Sequence, residues 1–458
     1  MKNIVRIGGA QGFYGDSPMG AAAMLMEGAV DYLMHDALAE LTLSILQKDR
    51  QKDPSMGYAR DIEFHAKMLY PAALAQGVRI VSNAGGLNPR AAAERLRTVL
   101  AQQGLSPKIA IVYGDDILER LSQLQAEGEL LLNMDSGKTF AECPYPAVSA
   151  NVYLGAQPIK DALDLGADIV LAGRVADPAL CLGILAHEFG WDLDDPAHLD
   201  RLANGIMIGH ILECGGQASG GNSYAEWPPR YTMGDLGYPI AHVAPDGSAT
   251  ITKLESQGGT VTRNTVREQL VYEIHDPARY LTPDVTVDFT GIRVEEIGPD
   301  RVAVGGARGL PRPERLKAAI VVMEGYLSEQ MFFFSWPYAY EKAQAFEKAA
   351  REIWDRLPLG IERIEANYLG INGIHGSAAP MPPPERLAEM NEVGLRLAFR
   401  HADAKTGRLA LQAITCLGLN GPPGITANPN WGKDGRTLLS LWPALVHRDR
   451  ITAVVETV

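Results

Sequence analysis

The chain has 458 residues, 46% hydrophobic and 21% charged, a globular composition that excludes extensive disorder and a length too great for one ordinary core. Two domains are expected, 1–225 and 226–458. A formal net charge of -13 argues against a nonspecific binder of nucleic acid or of an anionic membrane, since such proteins neutralise phosphate with clustered Lys and Arg; one local Arg still suffices for a small anionic substrate.

The first predicted element is a short buried strand over 4–9, IVRIGG, ending in a loop with Gly9, Gln11, Gly12, Asp16 and Ser17, and an alanine-rich helix follows from near Pro18. A strand, a glycine loop and a helix in this order can hold an anion, because unsatisfied N–H groups and the positive helix end face the loop. Gln11 stands where the dinucleotide pattern has glycine, so a tight structural turn is the competing reading.

Strands are next expected at 29–34, with Asp31 and Asp36 at its edges, then at 78–81, 109–112 and 167–172, with helices at 38–47, 60–76, up to Gln103 and after Pro178. Strands alternating with helices imply a parallel sheet, because successive parallel strands need a crossover. The first domain is therefore read as α/β. Ligands of such sheets sit beyond the carboxyl ends of the strands, where Asp16, Asn83, Asn88, Asp115, Asp116, Arg174 and Asp177 converge as candidate binding residues. Arg174 and Asp177 read equally as a clamp for a substrate carboxylate or as an ion pair. Adjacent Asp115 and Asp116 offer paired carboxylates, though a helix cap is the commoner use.

Residues 200–214 carry an apolar stripe, Leu202, Ala203, Ile206, Met207, Ile211 and Leu212, at helical spacing. The helix runs into Gly215, Gly216, Ser219, Gly220, Gly221 and Asn222, where backbone N–H groups can approach a ligand closely. His210 and Cys214 lie one turn apart, beside Glu213. General acid–base work by His210 or Glu213 is the leading functional reading. A thiol activated by imidazole, or two ligands of a metal site that needs more, are alternatives; the bland account is a buried cysteine beside a hydrogen-bonded histidine. No metal ligand set is assigned.

After Ser223 the texture changes. Pro228, Pro229 and Pro239 interrupt the chain, and 240–304 is rich in short β-like runs separated by turn signals. A strand at 316–323, a helix at 340–356, an apolar run at 364–371, a helix at 383–399 and a strand at 451–455 are expected in an α+β second domain. The loop 370–376 holds His375 and is either a wall of an interdomain cleft or a surface turn. Ser136-Gly137-Lys138-Thr139 lacks the further glycine of a nucleotide-binding loop, with Leu132 in its place, and Pro144 and Pro146 forbid the helix that should follow.

Four widely spaced cysteines without a C-x-x-C pair suit a reducing cytoplasm. The amino terminus has no leader pattern and no stretch reaches the length of a membrane span, so a soluble, unexported protein is expected.

The segments GGAQGFYGDS, SNAGGLNP, LAGRVADPAL and HILECGGQASGGN, in this order, resemble the bacterial acyclic terpene utilisation AtuA family. The likeness spans most of the chain. It implies catabolism of branched acids, including terpenoid acids handled as coenzyme A thioesters, so coenzyme A enters as part of the substrate and no separate cofactor is assigned. Many members carry, or are accompanied by, a small α+β protein, and the resemblance implies a separate small partner here. It carries over no catalytic residue. Two functions follow: a lyase or hydratase of a branched acid or its thioester, using His210 or Glu213 for the proton and Arg174 with the 215–221 backbone for the oxygen, or a non-catalytic large subunit that binds substrate and works with the small partner. Nucleotide or metal dependence is a third. A homo-oligomer is the default.

Overall fold

The computed structural model describes residues 2–428 and 434–458. It has mixed α and β content and divides into two compact units, one of 1–321 with 441–458 and one of 322–440. Among the described residues, no helix is long and apolar enough to cross a membrane.

The first unit is organised by a ten-stranded mixed sheet. At its centre Val5–Gln11, Tyr32–His35, Arg79–Ser82, Ile169–Ala172 and Ile109–Tyr113 lie parallel in that spatial order. Their side chains alternate between two cores. Met34, Val81, Val112 and Val170 face one, and Leu33, Ile80, Ile111 and Leu171 face the other. Strands buried on both faces are apolar along most of their length, with polar residues confined to their ends and to Arg6, which is why they read as short continuous runs. Helices Gln157–Asp164, Ala179–Phe189 and Leu199–Leu212 supply the first core, while Met19–Met26, Ile62–Met68 and Pro89–Ala101 supply the second.

The sheet is not purely parallel. Ile240–Val243 pairs antiparallel with Val5–Gln11, and Ala249–Thr252, Arg301–Gly305 and Arg293–Gly298 extend that side. On the opposite edge Val454–Thr457 pairs antiparallel with Ile109–Tyr113. The expected break at 225/226 and the division by contacts therefore do not coincide, because the β-rich stretch after Ser223 builds the flank of the first sheet.

The second unit holds an antiparallel sheet in which Tyr326–Ser335 pairs with Glu392–His401, itself flanked by Ile361–Leu369. Helix Ala339–Asp355 packs Phe346 against Phe332 at a ring separation of 4.4 Å, and the Trp354 indole N–H donates to the Ala410 carbonyl at 2.8 Å. The helix expected over 383–399 is corrected: only Pro384–Ala388 is helical. Val393, Leu395, Leu397 and Phe399 are buried at alternate positions, which is strand periodicity. His375 is exposed in a turn of this unit.

Candidate functional site

A cavity of about 560 Å³ opens in the first unit beside the carboxyl ends of the first two strands and the end of helix Leu199–Leu212, a size suited to a small molecule. Gly12, Asp16, Asp177, Glu213, Cys214, Gly215, Gly216 and Asn222, all expected at a site, line it. So do residues the sequence did not single out as ligands: Asp36, Glu40, Tyr238, Asp235, Tyr272 and Glu273. The described lining thus holds seven carboxyl side chains and no Lys, Arg or His.

Close backbone approach builds the wall. A methyl group added to Gly12 would lie 2.3 Å from the Gly215 nitrogen, and one added to Gly9 would lie 2.6 Å from the Leu212 carbonyl oxygen. The strand and its loop therefore sit directly against the end of the long helix, and Gly215, at φ +54, makes the turn that an L side chain resists. Gly12 N–H donates to Asp16 Oδ2 at 2.8 Å, and the Tyr238 hydroxyl donates to Asp16 Oδ1 at 2.5 Å. Asp16 closes the loop rather than awaiting an anion. Gln11 does similar work beneath it, donating to Phe13 O at 3.0 Å and Asp61 Oδ2 at 2.7 Å.

Arg174 is 1% exposed and its guanidinium is held within the protein, although Nε is buried without a hydrogen-bond partner. Nη1 donates to Leu38 O at 2.7 Å and pairs with Asp177 at 2.9 Å, and the guanidinium lies 4.1 Å from the Tyr153 ring centre. It does not line the cavity, so the carboxylate-clamp reading gives way to the ion pair, whose Asp177 end faces the cavity. Burial raises the Asp177 carboxyl, and Arg174 opposes that rise.

Glu213 is 6% exposed and presents its carboxyl to the cavity from the helix end. Its Oε1 lies 2.7 Å from His210 Nδ1, and its Oε2 and His210 Nε2 are buried without a hydrogen-bond partner. Burial pushes Glu213 well above the ordinary carboxyl range, with the negative charge of Asp177 adding to it. Burial drops His210 to about 4, so the imidazole is neutral at ordinary pH. The Gln269 side-chain amide donates to the His210 carbonyl at 2.7 Å, and the Tyr280 ring centre lies 5.8 Å from the imidazole. His210 does not line the cavity; it acts on Glu213 from behind. Burial also raises the Cys214 thiol, with Glu213 adding to it. Because the imidazole addresses Glu213 rather than the sulfur, the activated-thiol reading loses its base.

Asp36 and Glu40 complete the acidic wall with opposite tendencies. Burial holds Asp36 well above the usual range, reinforced by Asp177 and Glu213, although the Asn83 amide donates to its Oδ1 at 2.5 Å. Burial also acts to raise Glu40, but Lys317, the Tyr153 hydroxyl and Arg174 outweigh it and hold that carboxyl at about 2. Glu273 is a non-glycine residue at φ +60, a conformation that costs free energy and often marks functional sites.

Other sequence candidates serve the scaffold. Asn88 caps helix Pro89–Ala101 through the Ala91 N–H and ties down Pro54 and Met56. Asn83 accepts from the Ala37 N–H. Asp115 accepts from the Arg174 N–H and the Asn151 amide, and burial lifts it to about 6. Asp116 accepts from the Leu118 N–H, so the adjacent pair does not act together. The Ser219 hydroxyl donates to Gly216 O and Gly237 O. Lys138 lies in an exposed turn without a following α-helix. Among the described residues, no group of three or more His, Cys, Asp or Glu is arranged to hold a metal ion.

Residues 5–457, nearly the whole chain, match the family described as acyclic terpene utilisation family protein AtuA. No curated protein and no solved structure matches the chain.

Proposed function

We propose that this chain, a member of the acyclic terpene utilisation family AtuA, works in the breakdown of terpene-derived branched acids as an acid–base lyase or hydratase acting on the neutral acyl thioester. What supports this reading is one contrast: two cavity carboxyl groups sit beside unlike partners, Asp177 beside the Arg174 guanidinium and Glu213 beside a neutral imidazole. Environments that separate the proton affinities of two carboxyls divide the roles of base and acid between them.

In the dehydrating direction Asp177, ionised against Arg174, takes a proton from the carbon next to the thioester carbonyl. The electrons of that C–H bond form the C=C bond, the C–O bond breaks, and Glu213 protonates the departing hydroxyl to give water. Hydration reverses each transfer. His210 is a positioning residue that keeps the Glu213 proton in place. The N–H groups of Gly215 and Gly216, at the cavity wall and not used in the turn's own bonds as those of Gln217, Ser219, Gly220 and Gly221 are, are suited to hold the carbonyl oxygen.

The acidic lining bears on substrate form. A free carboxylate would meet several carboxyl groups and no lining cation, whereas a thioester brings a neutral carbonyl. The phosphates of coenzyme A belong outside this cavity for the same reason. A separate small partner and self-association remain part of the proposal.

The test is turnover of a panel of branched hydroxyacyl and enoyl thioesters, with the small partner added. Glu213→Gln and Asp177→Asn should each lower kcat about 10²- to 10⁴-fold while leaving binding within a few-fold. Wild-type turnover in both variants sinks the acid–base assignment. Binding without conversion under every condition would instead favour the substrate-binding large subunit.

A further inference from the structure

A second cavity, of about 460 Å³, adjoins the acidic one, and Asn222 and Met233 line both. Its character is opposite. Tyr224, Trp227, Pro229 and Tyr231 form much of its wall, with Tyr224 92% and Trp227 66% exposed. Leaving such large rings in water is unfavourable, so their clustering at a cavity marks a place where apolar surface is covered.

The cleft is also held open by its own bonds. The Tyr231 hydroxyl donates to Gly220 O at 2.6 Å, fixing the ring, and a methyl group on Gly220 would lie 2.3 Å from that hydroxyl. Glu268 Oε1 accepts from both the Tyr224 and Ala225 N–H groups, at 3.1 and 3.0 Å. The rings are therefore anchored at their bases while their faces stay free.

We infer that this aromatic cleft takes the hydrocarbon end of the same molecule whose carbonyl end enters the acidic cavity, and that Trp227 and Tyr224 set the preferred chain length. The occupant follows from the shared lining: Met233 and Asn222 border both cavities, so a chain attached to a neutral polar head among the carboxyls passes them to reach the aromatic cleft. The inference rests on the proposed neutral acyl substrate, but its test does not use turnover.

The probe is a homologous series of methyl ketones, from four to twelve carbons, titrated into the full chain while tryptophan fluorescence and heat are recorded. Affinity should rise about three- to fourfold per added methylene once the chain reaches the cleft, as transfer of each CH₂ from water predicts. In Trp227→Ala and Tyr224→Ala, whose exposed side chains make folding failure avoidable, the shortest ketones should bind as in wild type and the rise should flatten. Glu213→Gln should keep the rise, which separates this inference from the acid–base reading. An equal rise in wild type and both aromatic variants overturns it, and so does failure of any ketone to bind. Loss of self-association in Trp227→Ala, with no dependence on chain length, overturns it in favour of a second copy of the chain covering these rings.

Discussion

Replacing Arg174 by Met keeps much of the side-chain volume and removes the charge, leaving Asp177 without its 2.9 Å ion pair and the Leu38 carbonyl without its donor. Breaking a buried pair on one side costs about 3–5 kcal/mol, and the lost contact with Tyr153 adds to it. Most of the cost is that of a stranded negative charge, so it depends on pH. Arg174 lowers Asp36, Asp177 and Glu213, although burial already raises all three. Without it their folded-state proton affinities rise further above those of the unfolded chain. A carboxyl raised on folding destabilises the protein above its folded pKa, and that penalty fades as pH falls through the folded pKa towards the unfolded value. The variant's deficit relative to wild type should therefore be larger at pH 8 than at pH 5.5, the sense set by the upward direction of these carboxyls. Urea denaturation of both proteins at the two pH values reads this directly. A deficit of the same size at both would show that Arg174 acts through packing and hydrogen bonds alone.

The wall contacts and the thiol give two more outcomes. Gly12→Ala should destabilise by about 1–3 kcal/mol, since its methyl meets backbone at 2.3 Å, whereas Gly234→Ala, with open space around it, should fall within about 0.5 kcal/mol of wild type; equal melting temperatures for the two variants would disprove the close approach of loop and helix. Iodoacetamide at pH 8 should label exposed Cys416 first, with Cys214 at least about tenfold slower because its thiolate is suppressed. Peptide mass spectrometry orders the two, and faster labelling of Cys214 would restore it as a nucleophile.

The parallel half of the first sheet was legible because its strands carry unbroken apolar runs, as in YLM at 32–34 and IVLA. The antiparallel flank was not, since nothing local in IAHV says that its partner is the first strand, more than 200 residues away, with ATIT then adding to IAHV. At the site, Asp16, Asp177 and Glu213 were found by position at strand and helix ends. The same rule also selected Asn83, Asn88 and Asp115, whose side chains turn inward to satisfy backbone groups, and a strand-end position cannot distinguish the two fates. Asp36 carried a usable signal, a carboxylate two residues after the apolar run 32–34. Asp235 and Glu273 carried none, because they reach the cavity only through the tertiary path of a stretch that the sequence placed in another domain.

The strand Val454–Thr457 imposes an order on the making of this protein. Its partner, Ile109–Tyr113, leaves the ribosome roughly 340 residues earlier, about twenty seconds to a minute at ordinary rates of synthesis. For that interval a row of backbone N–H and C=O groups on an apolar strand has no native neighbour on that side, the circumstance in which strands pair with the wrong chain. A nascent chain stalled before residue 454 should thus be more prone to aggregate than its burial of the central strands alone suggests, and chaperone dependence is expected to concentrate at this one edge.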